Sequence, residues 1–163
     1  MKRSNIRVLV ACEFSGVVRE AFAEQGFDAW SCDLLETTRP STNHVTGDVL
    51  ELLKGKEGAL GHLRIARVND WHLMIAHPPC TYLCSSGLHH NKGNPERQRK
   101  TDEALEFVRT LLNAPIPFIA LENPVGRIGS MIRPASQYIH PYEFGHDASK
   151  RTGLWLLGLH KLR

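Results

Sequence analysis

Three short apolar runs, each broken off by polar residues or by proline, constrain the fold of this chain most. They lie within residues 6–12, 71–76 and 118–121. Runs without polar alternation are typical of strands buried on both faces of a parallel sheet. Shorter strands and a closing hairpin are predicted from the remaining pattern, at residues 27–31, 44–46, 138–144 and 153–159. We therefore expect an α/β fold with a mostly parallel central sheet, helices on both faces and a C-terminal antiparallel hairpin.

Helix signals lie between these strands. A first helix follows Ser15, its predicted N-cap, and Gly26 closes it. A second helix is predicted over residues 49–53 with Asp48 as N-cap, and an amphipathic third helix over residues 101–112. Strands alternating with helices in this way predict a single domain over residues 1–163.

The charge is mildly positive and permits contact with a polyanion without requiring it. The formal net charge is +3, and 42% of the residues are apolar, which is enough for one core. Residues 88–99 are rich in His, Lys and Arg, and we expect a mobile basic loop that covers a substrate or contacts phosphates, or else a solvated connection. Residues 54–69 are rich in Gly and charge and give no clear assignment.

The four cysteines are interpreted as reduced thiols of a cytoplasmic protein, because three of them lie at strand ends rather than in a scaffold of loops. No apolar run is long enough for a membrane span or a signal peptide. His77, His89 and His90 lie near Cys80 and Cys84, but no second pair completes a zinc spacing, so we predict no metal site.

The run at residues 71–76 ends in His77, Pro78, Pro79 and Cys80. Two prolines fix their own torsions and keep the preceding residue out of helical space, so the chain leaves the strand as a stiff loop. A thiol beyond the carboxyl end of a strand is well placed for nucleophilic chemistry. The competing interpretation is that Cys80 is a small buried apolar residue.

The run at residues 118–121 ends similarly, in Glu122, Asn123 and Pro124. Two neighbouring strands would then bring a thiol and a carboxylic acid to one rim, as a nucleophile and its acid partner require. Lys150 and Arg151, before the last strand, either hold an anionic or carbonyl-bearing ligand or face solvent in a turn.

The first strand, turn, helix and second strand have the layout of a nucleotide-binding unit. Asp33 stands at the end of the second strand, where an acid accepts ribose hydroxyls. The turn holds one glycine, Gly16, where a dinucleotide fingerprint has three, which favours a nucleoside cofactor without phosphates over NAD. The competing interpretation is that Glu13 and Asp33 are ordinary strand-end or capping residues.

Together these segments resemble the cytosine-5 DNA methyltransferases, and more closely the small phage-encoded proteins of that type. The resemblance implies a Rossmann-like S-adenosylmethionine-dependent methyltransferase fold, with S-adenosyl-L-methionine as cofactor and DNA as substrate. The residues that match the family's cofactor-binding positions are Glu13, Phe14, Ser15, Gly16, Asp33, Asp48, Val49 and Pro78.

The same resemblance implies three catalytic residues. The Cys80 thiolate would add to carbon 6 of the pyrimidine, Glu122 would bond ring nitrogen 3, and Arg151 would bind the ring carbonyl oxygen. A cationic neighbour, Arg151 or His77, would favour the thiolate. Three further residues would contact the substrate, namely Asn123, Pro124 and Lys150.

A chain of 163 residues has no room for the family's large target-recognition domain. We therefore expect a homodimer or a partner protein to replace that domain, or a simpler substrate. The alternatives to DNA methylation are modification of a free pyrimidine nucleotide or of RNA by the same core, and a catalytically silent module that binds a nucleotide or a partner.

Overall fold

A computed structural model describes residues 2–54 and 71–163, so most of the unassigned segment at residues 54–69 lies outside the described residues. Within the described ranges the chain forms a sheet of seven strands in the order β3-β2-β1-β4-β5-β7-β6. Their bounds are β1 Arg7–Ala11, β2 Asp28–Asp33, β3 His44–Thr46, β4 Leu73–Ala76, β5 Phe118–Pro124, β6 Gln137–Ile139 and β7 Thr152–Leu157. Strands β1 to β5 pair in parallel, and β7 runs antiparallel to β5 and β6. The predicted mostly parallel sheet with an antiparallel C-terminal hairpin is confirmed.

Helices pack on both faces of this sheet. They are α1 Val17–Glu24, α2 Val49–Leu53, α3 Pro95–Leu112 and α4 Arg127–Met131. Side chains alternate along β1, so Val8 and Val10 face α1 while Leu9 and Ala11 belong to the larger core. That larger core also takes in the apolar faces of the other three helices. The sheet is therefore buried on both sides, as its unbroken apolar strands require.

The start of α1 differs from the prediction. Gly16, at φ 74°, occupies the N-cap, one position after the predicted residue, although the Ser15 hydroxyl still accepts from the first helical N–H, that of Val17, at 3.3 Å. The Glu13 carboxylate caps the next two N–H groups, accepting from Val18 at 2.7 Å and from Arg19 at 3.3 Å. The other predicted caps are confirmed: Gly26 follows the helix at φ 84°, and the Asp48 side chain accepts from the first turn of α2.

The prediction of a mobile basic loop at residues 88–99 is wrong. Residues Ser85–Asn91 form 3-10 turns, and α3 begins at Pro95, six positions before its predicted start. The Asn94 side chain caps the helix by accepting from Arg97 N–H at 3.0 Å. The charges lie on the helix surface, where Arg99 pairs with Glu96 at 2.7 Å. Side-chain pairing along a helix therefore orders this charged run.

The C-terminal hairpin is shorter than predicted. Strand β6 covers only Gln137–Ile139, because Pro141 lacks an N–H for the ladder and starts a 3-10 turn over Pro141–Phe144. The short helix α4 was not predicted at all. Among the described residues, no helix is both long and apolar enough to cross a bilayer.

Candidate active site

Five neighbouring parallel strands end at one edge of the sheet, and the polar residues selected from the sequence lie there. Glu13 follows β1, Asp33 ends β2, Asp48 follows β3, Cys80 follows β4 and Glu122 lies near the end of β5. This edge is where ligands bind to α/β sheets. The topology therefore lines up a rim of carboxylates with the Cys80 loop among them.

The loop that carries Cys80 is fixed to the end of β5. The Asn123 side chain, 1% exposed, donates from Nδ2 to the Pro78 carbonyl oxygen at 2.7 Å. Beyond the thiol, the N–H groups of Leu83 and Cys84 both donate to the Cys80 carbonyl oxygen at 3.0 Å. Cys80 is partly exposed as a residue, so it is not the fully buried apolar residue of the competing interpretation.

A second contact fastens the far side of this loop. Ser85 N–H donates to the Val125 carbonyl oxygen at 2.9 Å, and Arg127 N–H donates to the Leu83 carbonyl oxygen at 2.8 Å. Between them, a Cβ added to Gly126 would lie 1.9 Å from the Leu83 oxygen. Only a glycine allows the two backbones to approach so closely, which no local sequence signal revealed.

Glu122 pairs with His77. Their atoms Oε2 and Nδ1 are 3.3 Å apart, and each side chain is about one third exposed, at 33% and 30%. The register of β4 with β5 explains the pairing, because Ala76 lies opposite Leu121 and the next residues are these two. His77 was expected to help the thiol, whereas the structure places it on the carboxyl group.

The Glu13 side chain, 5% exposed, is the most enclosed carboxylate of the rim. Besides the two N–H groups of α1, its Oε1 accepts from the Ser15 hydroxyl at 3.0 Å. A negative charge thus occupies the positive end of this helix. Phe14 lies beside it and is 43% exposed.

A cavity of about 350 Å³ is lined by residues at the ends of β2 and β3 and by residues of the Cys80 loop. Asp33 and Asp48 line it, and each uses one carboxylate oxygen to accept a backbone N–H, from Leu35 at 2.9 Å and from Leu50 at 2.8 Å. In the part of the chain that the structure describes, the second carboxylate oxygen of each makes no hydrogen bond. The remaining lining residues are mostly apolar: Cys12, Cys32, Leu34, Gly47, Val49, Leu50, Pro79, Tyr82, Ala104 and Phe107.

A second cavity of about 250 Å³ adjoins the first turn, and its lining is Cys12, Glu13, Phe14, Ser15, Val18 and His77. Cys12 lines both cavities and has φ 59°, unusual for a residue other than glycine. Burial, with the charges of Asp33 and Asp48, raises the pKa of the Cys12 thiol to about 12. Burial and the neighbouring Cys12 likewise raise the pKa of Cys32 to about 12. Both thiols are therefore neutral, and among the described residues neither cavity is lined by Lys or Arg.

Arg151 reaches the rim through its backbone. Its carbonyl oxygen accepts from Val125 N–H at 3.4 Å, directly after β5. Its exposed guanidinium lies over the Tyr138 ring, 4.2 Å from the centroid. Lys150 is exposed beside it, and Pro124 pairs with Thr152 in the ladder. Arg151 is thus next to Glu122's strand, but the contact its guanidinium makes here is with Tyr138.

Sequence reasoning missed the role of Arg97, which holds the Cys80 loop from its other side. Arg97 donates to the carbonyl oxygens of Thr81 at 3.2 Å and Gly87 at 3.3 Å, and its guanidinium lies over the Tyr82 ring at 5.0 Å.

The Cys84 thiol has a lowered pKa, and hydrogen bonding to Ser86 is the main cause. All four cysteines are free, and residues 2–54 and 71–163 hold no group of three His, Cys, Asp or Glu suited to a metal ion.

Comparison with known proteins gives the fold alone. No family model and no curated protein matches the chain. A crystal structure of WbdD superposes with a TM-score of 0.51 at 10% identity, over 97% of this chain and 36% of that chain. A co-crystal structure of WbdD with the kinase inhibitor LY294002 gives 0.49 at 12% identity, over 97% of this chain and 37% of that chain. This chain therefore spans little more than a third of the WbdD chains.

Proposed function

We propose that this protein is an S-adenosylmethionine-dependent methyltransferase that modifies carbon 5 of cytosine in DNA through a transient adduct with Cys80. One observation carries the proposal: Pro79 and Tyr82, on either side of Cys80 in the chain, form part of the wall of the larger cavity. The nucleophile and the cofactor space therefore share one loop. Glu122, on the next strand, completes the thiol and acid pair that pyrimidine activation requires.

The charges of the cavities suit a cationic nucleoside. Asp33 and Asp48 keep free carboxylate oxygens, which are acceptors for ribose hydroxyls and for an amino group on the base. A phosphate is disfavoured, because the Glu13 carboxylate already fills the N-terminus of α1, where phosphates usually bind. S-adenosyl-L-methionine has a positive sulfonium and no phosphate, and when bound it supplies the methyl group that carbon 5 takes up.

The chain's own residues activate the base. The electron pair of the Cys80 thiolate forms a bond to carbon 6 of the pyrimidine, and a proton passes from Glu122 to ring nitrogen 3. Carbon 5 thereby becomes electron-rich. After carbon 5 is substituted, its proton leaves to water, the bond between sulfur and carbon 6 breaks, and Glu122 recovers its proton. Asn123 keeps the loop in place by holding the Pro78 carbonyl oxygen.

Exposed cations near the rim favour a polyanionic substrate. Lys150 and Arg151 lie at one end. His89 and His90 are exposed on the 3-10 turns that follow the Cys80 loop, and the exposed Lys92 comes directly after those turns. Such side chains contact phosphates without reading sequence. We propose that target selection is completed by a homodimer or a partner protein, and that the protein works in the cytoplasm, in the host if the chain is phage-encoded.

The experiment is transfer of labelled methyl to duplex DNA, single-stranded DNA, RNA and free pyrimidine nucleotides in parallel. We expect label on DNA, lowered at least about 10³-fold by Cys80→Ala, because the nucleophile has no substitute. Cys84→Ser is the matched control, since Cys84 lies four positions on and a hydroxyl can keep the contacts of its thiol with Ser86, at 3.2 Å, and with the Cys80 side chain. Binding of S-adenosyl-L-methionine, measured by calorimetry, remains in both variants.

The other outcomes name the alternatives. Cys80-dependent label on RNA or on a free nucleotide would replace DNA as the substrate. Binding of the cofactor without transfer to any substrate would support a silent binding module, and full turnover by Cys80→Ala would refute the mechanism.

A further inference from the structure

His77 links the acid of the proposed reaction to the smaller cavity. Its Nδ1 lies 3.3 Å from Glu122 Oε2, and its Nε2 is buried without a hydrogen-bond partner among the described residues. Its backbone N–H donates to the Ala11 carbonyl oxygen at 3.0 Å, which fixes the residue to the end of β1. The imidazole ring is thus held against the Glu122 carboxyl group.

The unpartnered Nε2 identifies the tautomer. A buried N–H without an acceptor costs more free energy than a buried lone pair, and orphaned N–H groups are rare. The single proton of the neutral ring therefore belongs on Nδ1, and Nδ1 donates to Glu122 Oε2.

This bond decides which oxygen of a protonated Glu122 carries the acidic proton. In a carboxylic acid the carbonyl oxygen is the acceptor and the hydroxyl oxygen is the donor. Because Oε2 accepts from His77, the proton resides on Oε1, and Oε1 has no hydrogen-bond partner among the described residues. The donor that Glu122 presents to a substrate is therefore set by His77.

We propose that His77 is a positioning residue, which holds the proton of Glu122 on Oε1 and so selects a pyrimidine whose ring nitrogen 3 is an acceptor. Cytosine has that acceptor, whereas uracil carries N–H at the same position. The inference rests on the proposed function and adds the source of its base preference.

The proton and the electrons balance through the adduct. The thiolate pair of Cys80 forms the bond to carbon 6, the C5=C6 pair becomes C4=C5, and the C4=N3 pair takes the proton from Oε1. The new Glu122 carboxylate keeps the Nδ1–H bond at Oε2, which stabilises its charge. When Cys80 leaves, the same proton returns to Oε1.

Two other charged groups near this pair, Glu13 and Arg151, are engaged elsewhere. Glu13 and Cys12 face His77 across the smaller cavity, and Glu13 already accepts from three donors. From β7 the residue opposite Glu122 is Leu154, which is apolar, and the Arg151 guanidinium lies over Tyr138. Among the described residues, His77 is the group that bonds the Glu122 carboxyl.

The test is hydrogen exchange at carbon 5 of cytosine oligonucleotides in heavy water without any methyl donor, because the adduct alone makes carbon 5 basic. His77→Ala should slow exchange about 10- to 100-fold, the usual effect of one hydrogen bond to a charged group. His77→Asn, whose amide N–H can replace Nδ1–H, should stay within about threefold. His160→Ala, at an exposed histidine near the C-terminus, should match the wild type.

The pH profile separates positioning from folding. The limb that depends on Glu122 is the one that Glu122→Gln lacks. In His77→Ala we expect that limb to move to higher pH, because the carboxylate loses a hydrogen-bond donor. A merely structural role would lower the rate at every pH without moving that limb.

Three results would overturn the inference. An unchanged rate and profile in His77→Ala would remove His77 and leave the proposed function standing. Faster wild-type exchange on uracil than on cytosine would overturn the base preference, and with it the choice of cytosine in the proposed function, while leaving the Cys80 adduct. No exchange by the wild type on any base would refute the proposed function and this inference together.

Discussion

Gly126 offers the sharpest test of how the thiol loop is held. Its φ of 176° is extended and open to any residue, so the constraint is space alone. In Gly126→Ala the new Cβ would lie 1.9 Å from the Leu83 carbonyl oxygen and 2.8 Å from the Cys84 Cα. Both are backbone atoms, so no side chain can move aside, and the two segments have to separate.

Separation breaks the two backbone hydrogen bonds that flank the contact, Ser85 to Val125 and Arg127 to Leu83. At about 0.5–1.5 kcal/mol each, the loss of unfolding free energy is about 1–3 kcal/mol. For a chain of this length that lowers the Tm by about 2–12 °C. The Cys80 loop also loses an anchor. We therefore expect the rate of hydrogen exchange at carbon 5 to fall by a larger factor than the loss of unfolding free energy alone would cause.

Gly129→Ala is the matched control, three positions further along. Its Cβ would meet only the Tyr138 hydroxyl at 3.8 Å, and Ala is favoured over Gly in helix α4 by about 0.5–1 kcal/mol. Thermal melting followed by circular dichroism, with exchange measured below the melt, compares the two variants. A Gly126→Ala protein that melts within about 1 °C of the wild type and exchanges normally would refute this account of the loop.

Two further predictions concern the larger cavity. In Asp48→Asn the cap of α2 survives, because Asn caps a helix as well as Asp does, so the free energy of unfolding should stay within about 0.5 kcal/mol of the wild type. The affinity for S-adenosyl-L-methionine, measured by calorimetry, should fall about 10- to 100-fold. An equal affinity would argue against the proposed role of Asp48 in cofactor binding. Because the pKa values of Cys12 and Cys32 are raised to about 12, the unfolded chain loses these protons first, and stability present below about pH 8.5 is lost as the pH rises towards 12. Urea unfolding at several alkaline pH values should show this fall, and Cys32→Ala should flatten it; an identical slope would contradict the burial of that thiol.

Features carried by neighbouring residues were predictable from the sequence. The apolar runs predicted the parallel strands, and Asp48 before an apolar segment predicted the cap of α2. The signals for α3 were present too, as Asn94 followed by Pro95, but the surrounding charge and glycine concealed them. The ion pairs on the surface of this segment, such as Arg99 with Glu96, form only once the helix exists. The charges alone therefore did not show that the segment is helical.

Contacts between distant segments were not predictable. Asn123 and Pro78 lie 45 positions apart, as do Glu122 and His77, and both contacts follow from the register of two strands rather than from any local pattern. Gly126 gives no signal either, because its φ is extended and its neighbour across the gap is another part of the chain. A sequence motif can thus indicate which side chains reach a rim without indicating what holds them there.

Because Pro79 and Tyr82 belong both to the cavity wall and to the loop of Cys80, occupancy of the cavity and placement of the thiol are thermodynamically linked. A ligand that packs better against one arrangement of this loop shifts the loop towards that arrangement. The linkage is reciprocal, so in the proposed reaction a substrate bonded to the thiol would change the ligand's affinity by the same factor. Binding of a ligand in the cavity and binding of a substrate at the thiol can therefore be coupled through one short loop, without a separate mobile lid.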